Sequence, residues 1–405
     1  MKRAGLTLAS ALWLHASALH AQAPASASED NAPQAPPLLG IGPEMPPSVD
    51  PAMMPPLRPA SRPRPLFELH GFAAIWLTLA TDQSAPQHAT ETFSIRWAML
   101  RLDAHPHPDL HVLMRLSFVV EIPLYDLSIS WTALPAFNLT FGQFRVPFGA
   151  SATTLGTQLN MLDRPTYVSA MTKASYRDIG LMIGSGDAGL FEGVLHYRLA
   201  VTSGEGRFLV GDPTQIRDVR DLLWSARVLL DAGPLLAPGT RLALGASGSW
   251  TRDAALTGVD ASSRAANVLG RTWTPYAQER ETFLVGADLT FTHAGFFAQA
   301  EWMWLDSRGV DGTAMRSATG ASLELAYTLP FDLEGVTFQP VLRGEFTDPD
   351  LAHASDQYGI IAGGLNVRPF AFFQASVFGQ ATFYRDAAGD EAVGGELTVR
   401  GTSGF

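Results

Sequence analysis

From Leu66 to the C-terminus, apolar residues alternate with polar or small ones over stretches of about ten residues. That period of two belongs to strands whose two faces meet different surroundings. Between Thr282 and Thr292, Phe283, Val285, Ala287, Leu289 and Phe291 share one face, while Thr282, Gly286, Asp288, Thr290 and Thr292 share the other. Phe296, Ala298, Ala300, Trp302 and Trp304 likewise oppose Gln299 and Glu301. Phe373, Ala375, Val377, Ala381 and Phe383 oppose Gln374, Ser376, Gln380 and Thr382. No segment here reads as a long amphipathic helix.

Marking these runs and the Gly, Pro and Asp clusters between them predicts about sixteen strands. They lie near 66–80, 91–104, 109–120, 124–133, 136–148, 177–186, 189–203, 221–231, 241–251, 280–293, 295–307, 318–330, 336–347, 356–368, 371–385 and 391–403. The joins alternate in length. Even-numbered ones are short, as at Leu134-Pro135, Ser185-Gly186-Asp187 and His293-Ala294-Gly295, whereas the long ones, Gly149 to Tyr176, Gly204 to Asp221 and Thr251 to Glu279, are odd-numbered. Tight turns at one end and long loops at the other are the plan of a transmembrane antiparallel β-barrel, with turns in the periplasm and loops outside. A β-sandwich has too little core for so many wide apolar faces, and no repeat of fixed period supports a propeller. In a membrane barrel every strand can show the same alternation, because lipid meets one face and the pore the other.

The rest of the chain fits an exported protein. Lys2 and Arg3 precede an apolar stretch from Leu6 to Leu19 and then Ala21-Gln22-Ala23, so residues 1–23 read as a cleaved signal peptide. Residues 24–65 are rich in Pro, Ala and Ser without apolar periodicity and read as a disordered periplasmic linker, leaving 66–405 as the barrel domain. The chain has no cysteine, which excludes disulfides, thiolate metal sites and a cysteine nucleophile. Its 28 basic residues against 39 acidic ones, with Lys2 and Lys173 as the only lysines, exclude a general nucleic-acid binder.

Strand phase names the lumen wall. Ser225 and Arg227 alternate with Trp224, Ala226 and Val228; His196 and Arg198 alternate with Leu195, Tyr197 and Leu199; Thr337, Gln339, Arg343 and Glu345 alternate with Phe338, Leu342 and Phe346. In the fifth strand Phe137, Leu139 and Phe141 hand over to Phe144 and Val146, which predicts a bulge at Gly142 with Gln143 and Arg145 turned inward. Asp126, Asp288, Glu301, Glu324 and Glu345 balance the arginines on this wall.

The fifth strand and its loop also carry a family pattern. Leu124-Tyr125-Asp126, the run from Leu139 to Gly149, Leu162-Asp163-Arg164-Pro165 and Tyr176-Arg177-Asp178-Ile179-Gly180 resemble the phosphate-selective porin O and P family, most densely between residues 91 and 203. Ala226-Arg227-Val228, Gly364-Leu365-Asn366, Pro369 and the final Phe405 fit as well. The resemblance implies a sixteen-stranded homotrimeric outer-membrane channel for small anions and hydrophilic solutes. Its third long loop, here Gly149 to Tyr176, would fold inward, and lipids and the barrel-assembly machinery would be its partners. The candidate pore-lining and anion-binding residues are Arg96, Arg115, Arg145, Arg164, Lys173, Arg177, Arg198, Arg227 and Arg343, whose guanidinium groups stay charged and offer several donors to phosphate oxygens. The sequence departs from the family where Ile95-Arg96-Trp97-Ala98-Met99 keeps one basic residue and places Trp97 and Met99 where basic partners are expected. Without the signal, 26 basic residues face 39 acidic ones, a net charge near −13, so a general pore is as well supported as a phosphate-specific one.

Other function classes have less behind them. A barrel hydrolase needs a nucleophile, base and carboxylate in register, and His196 has no identifiable partner in the sequence. Asp103, His105, His107, Asp109 and His111 sit around Pro106 and Pro108, which predicts a tight solvated turn in preference to a metal site. No cofactor is expected. A non-conducting structural barrel, tethered through the Pro-rich segment, is the remaining alternative, and conductance separates it from a channel.

Overall fold

The computed structural model describes residues 66–82, 90–119, 124–134, 136–172, 177–186, 188–203, 222–253, 280–309, 314–330, 333, 335–352, 356–370, 372–385 and 391–404. The expected signal peptide and linker, residues 1–65, lie outside the described residues, as does Lys173.

Sixteen strands close into one antiparallel barrel. In chain order they are β1 Phe67–Asp82, β2 Thr90–His107, β3 Leu110–Ser117, β4 Leu124–Leu134, β5 Phe137–Arg145, β6 Arg177–Gly184, β7 Leu195–Thr202 and β8 Leu223–Asp231. The second half continues with β9 Thr240–Asp253, β10 Arg280–His293, β11 Phe296–Gly309, β12 Ala314–Tyr327, β13 Thr337–Asp348, β14 Tyr358–Phe370, β15 Phe373–Arg385 and β16 Glu391–Gly404. Each strand pairs with its sequence neighbours, and β1 closes on β16 from Phe72↔Gly404 to Asp82↔Gly394. Closure leaves no edge, which a sheet in lipid requires because hydrocarbon offers no partner to a free N–H or C=O. The turn before β7 is longer than expected: Phe191 and Glu192 adopt positive φ, so β7 starts at Leu195 and not near 189. β2 runs through Pro106 to His107, so the expected turn shrinks to Pro108 and Asp109.

The phase of the alternation is as read. Ile75, Phe93, Ile95, Leu127, Ile129, Phe141, Trp224, Val228, Leu244, Trp302, Leu342, Phe346, Ile361, Val377 and Phe383 are exposed on the outside, while Arg227, Asp288, Glu301, Gln339, Arg343 and Glu345 are buried on the inside. Two bulges re-aim side chains. Ala74 pairs with Trp97 but Ile75 with Ile95, so Arg96 is an extra residue on β2, and its guanidinium and the Trp97 ring both approach Trp76 on β1. Arg115 pairs with Asp126 but Leu116 with Leu124, so Tyr125 is an extra residue on β4, with Arg177 over its ring at 4.0 Å. The bulge predicted at Gly142 is absent, since Ser128↔Gly142 and Gly142↔Gly180 stay in register. Gly142 makes the change of face itself at φ 117, a backbone conformation that side chains rarely adopt, leaving Phe141 exposed and Gln143 buried.

Candidate functional site

The loop after β5 folds into the barrel. Pro147 lacks a backbone donor and ends the strand, and Gly149 at φ 61 turns the chain inward. A β-carbon at Gly149 would lie 2.5 Å from Glu301 Oε1, so glycine is needed for both turn and approach. Two short helices follow, α1 Ala150–Thr153 and α2 Thr166–Met171. The Thr153 hydroxyl donates back to Gly149 O at 2.6 Å, and Pro165 precedes the first residue of α2.

What seats the loop is largely apolar. Phe148, Tyr167, Val168 and Met171 pack on Leu284, Met303, Leu305 and Ala318 of the inner wall. Met161 and Leu162 pack in a second cluster with Trp76, Tyr358, Ile360 and Phe378. Each large side chain so buried is worth roughly 1.5–3 kcal/mol. The alternation did not foretell this belt, because Leu284, Phe297, Met303, Leu305 and Phe378 occupy inward positions beside outward apolar neighbours.

Polar latches then fix the seat. The Ser151 N–H donates to the Glu301 carboxylate at 3.3 Å, and the Tyr167 hydroxyl donates to Glu301 O at 3.1 Å and lies 3.0 Å from Ser322 Oγ. Asn160 donates to Glu324 at 3.0 Å, Thr166 N to Glu345 at 2.7 Å, and Arg343 to Asp163 O at 2.6 Å. On the far side, Arg96 pairs with Asp163 at 2.7 Å. A loop held at once by β2, β11, β12 and β13 crosses the inside of the cylinder.

Eight of the nine sequence candidates, all but Lys173, lie among the described residues and divide by what holds them. Arg115 and Arg177 both grip Asp126, at 2.6 and 2.5 Å. Arg227 holds Asp288 with both terminal nitrogens, at 2.6 and 2.9 Å. Arg343 pairs with Glu345 at 2.8 Å and with Glu324 at 3.6 Å. These four are buried and tie strands or the loop together. Arg96, Arg145, Arg164 and Arg198 are half-buried and keep part of their surface in the lumen. Of these, Arg145 donates to Thr153 O at 2.5 Å, while Arg164 donates to Ser151 O at 2.8 Å and to Thr154 O, so both also brace the loop. Arg145 and Arg177 are paired neighbours at the loop's two hinges.

Several working residues were not among the candidates. Asp163 joins the loop to β2, and Asp126 joins β3 to β6; Arg368 and Arg400 lie on the same wall. At the turn end, Asp103 accepts from Arg101 at 2.5 Å and lies 2.8 Å from His111 Nε2, with His105 stacked on His111. Among the described residues no group of three or more His, Asp or Glu side chains is placed to hold a metal ion.

The Arg96–Asp163 latch has a defined pH dependence. Burial opposes the Asp163 charge, but Arg96 and Arg164 outweigh it and hold the carboxyl below the usual range. A depressed folded-state pKa gives stability that is full above the unfolded value of about 3.9 and is lost as pH falls through the folded value. The part of the loop's protection that this latch supplies, read as the difference in protease sensitivity of residues 150–172 between wild type and Asp163→Asn, should therefore stay constant from neutral pH down to about pH 5 and vanish only in stronger acid.

The fold is that of solved outer-membrane channels. An anion-selective porin from Comamonas acidovorans superposes with a TM-score of 0.58 at 9% identity, over 84% of this chain and 99% of that one. OmpT of Vibrio cholerae, in its in-vitro folded trimer form, gives 0.55 at 8% identity over 84% and 99%. The outer-membrane channel DcaP of Acinetobacter baumannii gives 0.51 at 10% identity over 84% and 97%. No protein-family model and no curated protein matches the sequence. The likeness is one of architecture, shared with proteins of almost unrelated sequence.

Proposed function

We propose that the chain is an outer-membrane porin, through which small hydrophilic solutes, anions and phosphate among them, diffuse passively past the inward-folded loop. The observation that carries this reading is the closed barrel with an apolar outside, a charged inside and a loop latched across its lumen. Lipid meets the apolar face, and the half-buried Arg96, Arg145, Arg164 and Arg198 give the narrowed section a positive lean that the net charge of −11 for the whole chain does not reveal. Pairing of Arg115, Arg177, Arg227 and Arg343 with carboxylates argues for a general pore with mild anion preference over a phosphate-specific one. Export through a cleaved signal, insertion by the barrel-assembly machinery and a homotrimeric state belong to the same proposal. The Comamonas and Vibrio neighbours, an anion-selective porin and a trimer by their descriptions, support it by fold. No catalytic step is part of it.

One observation favours a second reading. The apolar seat of the loop suits a plugged, structural barrel. Liposome swelling in neutral sugars of increasing size separates the two, and the reversal potential in a salt gradient gives the sign of selectivity. Swelling with an anion-leaning potential is expected; liposomes that stay closed to the smallest sugar would leave the structural reading.

A further inference from the structure

Four of the chain's ten histidines, His70, His105, His107 and His111, lie in the first three strands, at the end of the barrel where β2 turns into β3. Register shows which way the strand residues point. His70 pairs with Arg101 and Arg101 with Arg115, while Glu68 pairs with Asp103. Directly opposed residues share a face, and Arg115 is buried inside the barrel on Asp126. His111 reaches the same inner face, with Nε2 2.8 Å from Asp103 Oδ1, and the His105 ring stacks on the His111 ring at 4.8 Å and 13°.

Three of these imidazoles stand beside a carboxylate. Glu68 lies 3.7 Å from His70, Asp103 2.8 Å from His111 and Asp109 3.6 Å from His107. Arg101 holds Asp103 through Nε at 2.5 Å and Nη2 at 2.8 Å. On the flanking strands, β4 brings Ser130 opposite His111 and β16 brings Thr402 opposite Ala74, both neutral. With neutral imidazoles the group thus sets Arg101 against Glu68, Asp103 and Asp109, a balance of −2, and four protons turn it to +2. Water reaches it, since the side chains of His70 and His107 are 40% and 65% exposed.

We propose that this histidine group is a pH-dependent selectivity element at the periplasmic mouth of the pore. Imidazole is the side chain that changes charge between about pH 5 and 8. The mouth is therefore negative and opposes anions at the upper end of that range, and is positive and draws them in at the lower end. Arginines keep their charge throughout and cannot supply such a change. The inference rests on the pore reading and adds a control of its ion preference.

The test uses the purified full chain in planar bilayers, with a potassium chloride gradient at about 0.1 M, where charge acts over about 10 Å. The chloride-to-potassium permeability ratio should rise about threefold from pH 8 to pH 5, and most of that rise should vanish near 1 M salt. His70→Gln, His105→Gln, His107→Gln and His111→Gln together should remove the rise, whereas His293→Gln, on distant β10, should keep it. If the fourfold variant fails to fold, His70→Gln with His107→Gln, at exposed positions, carries the test and should remove about half of the rise. Histidine ring NMR signals in detergent read the same protons without current. Equal permeability ratios at pH 8 and pH 5, or a rise that survives the fourfold change, would overturn the inference. Rings that titrate between pH 8 and pH 5 in a barrel without current would keep the change of sign and overturn the pore.

Discussion

Gly320→Ala should lift the loop from its seat and raise the conductance while leaving the barrel intact. Gly320 faces inward on β12, and a β-carbon there would stand 2.3 Å from Tyr167 Cγ and 2.5 Å from its Cβ. Real side chains do not approach so closely, and Tyr167 is fully buried with no room to retreat. Its ring must leave, taking with it the hydrogen bond to Glu301 O and the contact with Ser322. Overpacking of a tight core typically costs about 1–3 kcal/mol, and here the loop can relieve it by moving. The barrel's own ladders do not pass through Tyr167. Raised single-channel conductance together with new protease cleavage between residues 150 and 172 is the expected pair of results. Unchanged conductance with an intact loop would show that Tyr167 is not what seats it.

Arg343→Ala should be the most destabilising single change in the lumen. Arg343 stands between Glu324 and Glu345 and also donates to Asp163 O and Arg164 O, so one side chain neutralises two carboxylates and holds the loop. Removing one partner of a buried ion pair costs about 3–5 kcal/mol, because the remaining charge is left uncompensated. The loss should appear as a lower melting temperature and a freed loop. Adding Glu324→Gln and Glu345→Gln should restore much of the melting temperature, since the stranded charges disappear, but not the loop contacts. Failure of that rescue would mean that Arg343 acts by packing and not by charge.

The two faces of the barrel were legible because the outside is apolar and exposed while the inside is polar and buried, so residues such as Phe283, Val285 and Trp302 alternate with inward ones along their strands. The inward loop was legible only through a resemblance carried by Gly142 to Gly149 and Leu162 to Pro165. Its seat was not, because inward Leu284, Met303 and Leu305 look like continuations of their apolar neighbours until register is known. Bulges leave no composition of their own, so the placing of Arg96 beside Trp76, and of Tyr125 under Arg177, needed the strand pairing. Sequence could not tell Arg115 and Arg177, which share Asp126 across three strands, from Arg368 and Arg400, whose partners are neutral.

As a pore, the barrel must keep an aqueous path open past the loop latched inside it. Single-channel recording of the purified protein beside a variant lacking residues 150–172 decides whether it does. Stepwise currents in the wild type, and larger ones with weaker discrimination between ions in the variant, are expected. Silence from a folded wild-type barrel, with currents appearing only once the loop is removed, would rule out the open path and make the loop a plug.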